Sequence, residues 1–126
     1  MSTTLSRYLV ILAVTGLYAT SSYAVRPELN RDTLMEGHRI YEKACAWCHG
    51  SEGMGDGPSG CFIGRYSAPR PRDFTQEGYK FRSTASGELP TDQDLFRTLT
   101  QGIPGVMPSY RSLNESERWQ VIDYIK

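Results

Sequence analysis

Three segments of the chain carry apolar residues at the spacing of an amphipathic α-helix. They cover residues 31–44, 92–101 and 115–126. In the first segment, Thr33 and Glu36 have the spacing of a capping box. Thr91 and Asn114 stand where the N-caps of the other two helices are expected, and Gly102 stands where the second helix would end. The pattern therefore predicts three main helices.

The segment between the first two helices, residues 49–90, shows no helical or strand periodicity. It holds 8 of the 12 glycines and 4 of the 7 prolines of the chain. A stretch of this length without secondary structure is unusual inside a compact domain. We therefore expect long Gly/Pro-rich loops that fold around a group other than polypeptide, and we expect folding to depend on that group.

Residues 1–24 have the features of a secretory signal peptide, with an apolar stretch followed by small residues at Ser22 and Ala24. We expect cleavage after Ala24, which leaves one domain over residues 25–126 and an exported, periplasmic protein. The alternative is that the segment is kept as a membrane anchor. Contact with a membrane is expected only in that case.

Charge and composition exclude several classes of protein. The 126 residues include 14 Lys and Arg against 14 Asp and Glu, so the formal net charge is zero. This balance is not that of a nucleic-acid-binding arm, and we expect no nucleic-acid partner. A hydrophobic content of 39% is too high for a disordered tail, and three cysteines are too few for a disulfide-stapled mini-protein.

A haem-attachment signature, C-x-x-C-H, lies at the end of the first predicted helix. It consists of Cys45, Cys48 and His49, with Ala46 and Trp47 between the cysteines. Two thiols one helical turn apart can form thioethers with the two vinyl groups of one haem, and the adjacent histidine can then ligate the iron. A thioredoxin-like site would need a β-α-β context, and a zinc site would need a second pair of ligands. The sequence shows neither.

Four side chains could supply a second axial ligand to the iron: Met35, Met54, Met107 and His38. Met35 and His38 lie on the helix that leads into the haem motif, so they cannot also cover the opposite face of the haem. Met54 follows His49 too closely to pass round the porphyrin edge. Met107 stands 58 positions beyond His49, in a turn stiffened by proline. Elimination therefore predicts Met107 as the ligand, and the alternative is a methionine that fills a gap in the core.

With these residues in place, the chain resembles the class I c-type cytochromes, in particular the small monohaem cytochromes c of bacteria. The motifs that carry the resemblance are Gly37-x-x-x-Tyr41, Cys45-x-x-Cys48-His49-Gly50, Met107-Pro108 and Trp119-x-Val121-Ile122-x-Tyr124-Ile125. The resemblance implies an all-α fold, the small cytochrome c fold around one covalent haem c, with the first and last helices crossing nearly at right angles. It places Gly37 against Val121 and Tyr124. Cys61 has no role in this pattern.

A haem iron with both axial positions filled by His49 and Met107 leaves no open position for a substrate. We therefore expect a carrier of single electrons between a redox protein donor and a redox protein acceptor. We expect no catalytic residues and no small-molecule substrate. One alternative is a haem enzyme or a gas or peroxide sensor in which Met107 dissociates. Another is a membrane-anchored redox subunit of a larger complex.

Five basic side chains fall close together in the loop region: Arg65, Arg70, Arg72, Lys80 and Arg82. We interpret them first as groups that neutralise the haem propionates, with Arg72 or Arg82 as the candidate for direct contact. The alternative is a patch that steers an acidic redox partner.

Overall fold

A computed structural model describes residues 25–59, 70–76 and 78–126. Four helices lie entirely within these ranges: α1 (Arg31–Ala44), α2 (Ala46–His49), α3 (Asp92–Gln101) and α4 (Glu115–Ile125). The described residues form no strand, and their only β-type pairing is a bridge between Ile103 and Met107. The predicted signal peptide, Cys61 and Arg65 lie outside the described residues. No described helix is long and apolar enough to cross a membrane.

The all-α prediction is confirmed, and the bounds of α1 and α3 are those that the periodicity predicted. Helix α4 begins after Asn114 as expected and ends at Ile125, one residue early. The capping box predicted at Thr33 and Glu36 is wrong. Asn30 is the N-cap of α1, and its side chain accepts a hydrogen bond from the Thr33 N–H, while the Thr33 hydroxyl accepts one from the Asn30 N–H.

Helices α1 and α4 pack against each other at Gly37. A Cβ atom at this position would lie 2.2 Å from the carbonyl oxygen of Gln120 and 3.0 Å from the Cβ atom of Tyr124. Because only glycine permits this approach, the expected close crossing at Gly37 is confirmed. The atoms nearest to that Cβ belong to Gln120 and Tyr124, and Val121 is fully buried in the core.

The core is small and lies where α1, α3 and α4 meet. Its buried hydrophobic residues are Ile40, Tyr41, Cys45, Leu99, Trp119, Val121 and Ile122. Phe96 of α3 stacks on Trp119 of α4 with the ring centroids 4.2 Å apart. Cys45 is therefore part of the core, so the first residue of the haem motif is held by helix packing.

A buried carboxylate joins the loop before α3 to the start of that helix. Asp94 is 4% exposed. Its Oδ2 atom accepts hydrogen bonds from the main-chain N–H and the hydroxyl of Ser83, at 2.9 and 2.8 Å, and from the same groups of Thr91, at 3.1 and 2.8 Å. These donors, the Ser83 N–H foremost, hold the pKa of Asp94 well below its usual range.

We expect Asp94→Asn to lower the stability of the protein at neutral pH and to reduce its sensitivity to acid. A carboxyl group whose pKa is depressed by folding stabilises the native state fully above its unfolded pKa, about 3.9. That stabilisation is lost as the pH falls toward the folded pKa. The measurement is the free energy of unfolding by denaturant from about pH 6 to about pH 2.

The matched control is Asp32→Asn, because Asp32 is an exposed residue in the first turn of α1. We expect this control to keep the acid slope of the wild type. An Asp94→Asn variant with the wild-type slope would show that Asp94 does not contribute to acid sensitivity.

Candidate functional site

The end of α1 and the single turn of α2 position the two cysteines and the histidine of the haem motif. Helix α2 was not predicted from the periodicity. Cys45 lies between the two helices, and its carbonyl accepts hydrogen bonds from the N–H groups of Cys48 and His49, at 3.0 and 2.9 Å. This turn places both thiols one helical turn apart, as thioether formation with one haem requires. Burial raises the pKa of the Cys45 thiol to about 12, so this sulfur is uncharged in its apolar setting.

His49 is buried and has its ring orientation fixed by a main-chain carbonyl. Its Nδ1 atom lies 2.9 Å from the carbonyl oxygen of Arg72, which can only accept, so Nδ1 carries the proton. Burial lowers the pKa of His49, and the Arg72 carbonyl opposes this to a smaller extent. The ring is therefore neutral at pH 7 and keeps the Nε2 lone pair for a metal. This donor arrangement fits a haem iron.

Phe74 packs directly on the His49 ring. The two rings are stacked, with centroids 4.4 Å apart and an angle of 18° between their planes. The other contact of Phe74 is edge-to-face with Tyr41 at 6.5 Å, and its N–H donates to the carbonyl of Gly53. Tyr41 in turn donates its hydroxyl proton to the carbonyl of Gly50, at 2.7 Å. The histidine is thus held on one side by an aromatic pair anchored to the loop that follows it.

The loop after His49 folds back over α2. The N–H of Gly55 donates to the His49 carbonyl at 2.8 Å, and the N–H of Gly57 donates to the Cys48 carbonyl at 3.2 Å. These bonds satisfy carbonyls that the end of a helix leaves without partners. The first part of the Gly-rich segment therefore supports the haem motif through its main chain.

Met107 lies in a short closed loop after α3. It exchanges two main-chain hydrogen bonds with Ile103, at 2.8 and 2.9 Å, and its side chain packs against the core. The alternatives face solvent: Met35 is 61% exposed and Met54 is 53% exposed. The His38 side chain is also exposed and lies 3.6 Å from Glu42. These positions agree with the elimination that predicts Met107, and its bond to iron remains a prediction.

Gly102 allows the Met107 loop to lie against the end of α3. Its φ is +69°, and a Cβ atom there would lie 2.6 Å from the Met107 carbonyl oxygen and 2.7 Å from Pro108 and Ser109 main-chain atoms. Both the positive φ and the close approach require glycine. The residue that was predicted to end a helix therefore also determines the position of the candidate distal ligand.

Two of the five basic residues, Arg72 and Arg82, contact other parts of the protein. The guanidinium of Arg72 lies over the ring of Tyr79 at 4.6 Å and donates to the carbonyl of Gln76. Arg82 donates to the carbonyls of Tyr79 and Ala85. Contact of Arg72 or Arg82 with a haem propionate remains a prediction.

One feature of the site, the main-chain carbonyl that binds His49, was not singled out from the sequence. The Arg72 carbonyl could not be recognised from residue types, because every residue carries the same main-chain acceptor. Phe74 lies two positions after Arg72. Because the Arg72 carbonyl contacts Nδ1 of His49, the Phe74 ring also lies close to this histidine. Within the described ranges, no three His, Cys, Asp or Glu side chains are grouped as ligands of a lone metal ion.

Comparison with known proteins identifies a family and a similar solved structure. The family model described as cytochrome C oxidase, cbb3-type, subunit III matches residues 32–125. A chain of the reducing HAO-like protein complex from Kuenenia stuttgartiensis, a solved structure, is 42% identical with a TM-score of 0.67. This match covers 80% of the present chain and 43% of the other, so the present chain spans less than half the length of that neighbour. A search of curated proteins finds no match.

We expect Gly102→Ala to destabilise the protein more than Gly105→Ala does. Both glycines have a positive φ, so each substitution costs about 1–3 kcal/mol in backbone strain. Only the Gly102 substitution also forces a methyl group onto neighbouring main chain, which adds about 1–3 kcal/mol, since nothing lies within 4 Å of a Cβ at Gly105. The measurement is denaturant unfolding of the haem-loaded protein. Equal losses for the two variants would contradict the close approach at Gly102.

Proposed function

Because the chain belongs to the family described as cytochrome C oxidase, cbb3-type, subunit III, and binds haem c covalently as a c-type cytochrome, we propose that it is a monohaem carrier of single electrons. We propose thioethers at Cys45 and Cys48 and axial ligation of the iron by His49 and Met107. The hydrogen bond between Nδ1 of His49 and the Arg72 carbonyl supports this proposal most directly, because His49 directly follows Cys48. That bond leaves Nε2 as the free ligand atom.

The bound haem supplies a one-electron redox couple. The residues of the chain bind and orient it. Cys45 and Cys48 fix its position at the end of α1, and Phe74 and the Arg72 carbonyl fix the rotation of His49. Met107 would occupy the remaining ligand position of the iron and so exclude other ligands. In this proposal no side chain transfers a proton or bonds to a substrate, and no residue is catalytic.

We propose that donor and acceptor are redox proteins. The neighbour from Kuenenia stuttgartiensis is a chain of a protein complex and is 42% identical to this chain, which supports protein partners. The same neighbour favours a second candidate function, in which the chain is a fixed redox subunit of a larger assembly.

We further propose that residues 1–24 are a cleaved signal peptide and that residues 25–126 act as one domain in the periplasm.

We expect the haem colour to remain on the protein after acid–acetone extraction, because thioether bonds survive conditions that break iron–ligand bonds. Cys48→Ala should leave one thioether, and mass spectrometry should still show one haem per chain with a shifted absorption spectrum. Cys61→Ala is the control and should leave the spectrum unchanged. Complete extraction of haem from the wild-type protein would contradict covalent attachment.

We expect Met107→Ala to abolish the weak far-red absorption band that sulfur-to-iron charge transfer gives in the ferric protein. The same change should lower the reduction potential and open the iron to carbon monoxide in the ferrous protein, because the position opposite His49 becomes free. Met54→Ala is the matched control, since Met54 is exposed at the surface. Wild-type protein that binds carbon monoxide readily, or a Met107→Ala variant that keeps the band, would favour the enzyme or sensor alternative.

A further inference from the structure

One hydrogen bond connects the segment after Met107 with the end of α1. The hydroxyl of Tyr110 donates to the carbonyl of Ala44 at 2.8 Å, across 66 positions of the chain. Ala44 is the last residue of α1 and directly precedes Cys45. The final carbonyls of a helix have no partner within it, so this acceptor depends on a donor from elsewhere.

Tyr110 is also fixed to α3. Its main-chain N–H donates to the Leu99 carbonyl at 3.1 Å, and the hydroxyl of neighbouring Ser109 donates to the Thr100 carbonyl at 2.7 Å. The segment that follows Met107 is therefore attached to α3 through these two bonds. Within the described part of the chain, the Tyr110 hydroxyl is the one hydrogen-bonding group that attaches residues 107–113 to α1.

We propose that Tyr110 is a positioning residue whose hydroxyl holds the Met107 segment at a fixed distance from the haem-attachment segment. The inference rests on the proposed ligation by His49 and Met107. In that ligation His49 would bind the iron next to Cys45, while the Met107 side chain would come from a different part of the chain. A bond between Ala44 and Tyr110 keeps these two parts together, and it thereby favours the state in which Met107 occupies the iron.

The hydroxyl can be removed without removing the packing of the ring. The Tyr110 side chain packs against the hydrophobic core, and phenylalanine retains that contact area. Loss of the hydroxyl leaves the Ala44 carbonyl without its donor, which costs about as much as one hydrogen bond. We expect the equilibrium between bound and dissociated Met107 to shift about tenfold toward dissociation.

The test compares Tyr110→Phe with wild type by titrating imidazole into the ferric haem-loaded protein. Imidazole competes with Met107 for the iron, so its apparent affinity should rise about tenfold in the variant. The far-red charge-transfer band should also disappear at a lower temperature than in the wild type. Tyr124→Phe is the matched control, because the hydroxyl of Tyr124 donates to no group in the described part of the chain. Its imidazole affinity should equal that of the wild type.

The possible results separate this inference from the ligation on which it rests. A Tyr110→Phe variant that unfolds more easily but binds imidazole as the wild type does would show a purely structural role and overturn the inference. The ligation would still stand if the wild type shows the band and Met107→Ala loses it. Absence of the band from the wild type would overturn both.

Discussion

The contact between α1 and α4 at Gly37 is the interaction on which the position of the site depends. Because the main chain of Gln120 lies within reach of a Cβ at this point, α1 can take only a narrow range of positions on α4. The same packing buries Tyr41 and Cys45, which are one turn apart near the end of α1. The haem motif therefore starts from a residue that is already fixed in the core.

Beyond the core, the site is organised by side chains that donate to main-chain carbonyls. Tyr41 donates to Gly50, His49 to Arg72 and Tyr110 to Ala44. The bonds from His49 and Tyr110 span 23 and 66 positions of the chain, so they order segments that are far apart in sequence. This explains how the described residues of the Gly/Pro-rich segment support a defined site although they lack periodicity.

The sequence was sufficient to predict the three longer helices and to recognise the haem motif, because both depend on local spacing. It could not identify α2, which consists of one turn and has no amphipathic period to detect. It also placed the wrong residue at the start of α1, because Thr33 can act as N-cap or as the third residue of a capping box that begins at Asn30. The roles of the Arg72 and Ala44 carbonyls could not be predicted, because every residue carries a main-chain acceptor whatever its side chain. The close approach of Gln120 to Gly37 was missed for the same reason, because it is made by main-chain atoms.

The two sides of the proposed iron site differ in how firmly the chain holds them. His49 is buried, stacked on Phe74, bonded at Nδ1 and followed by a loop that bonds back to α2. Met107 is only partly buried, and its segment is held by the Ile103 pairing, by the contacts at Gly102 and by Tyr110. A ligand held by fewer contacts dissociates at a lower cost in free energy. Whether such a fold transfers electrons or binds added ligands is therefore decided on the Met107 side, while the His49 side can stay the same for either function.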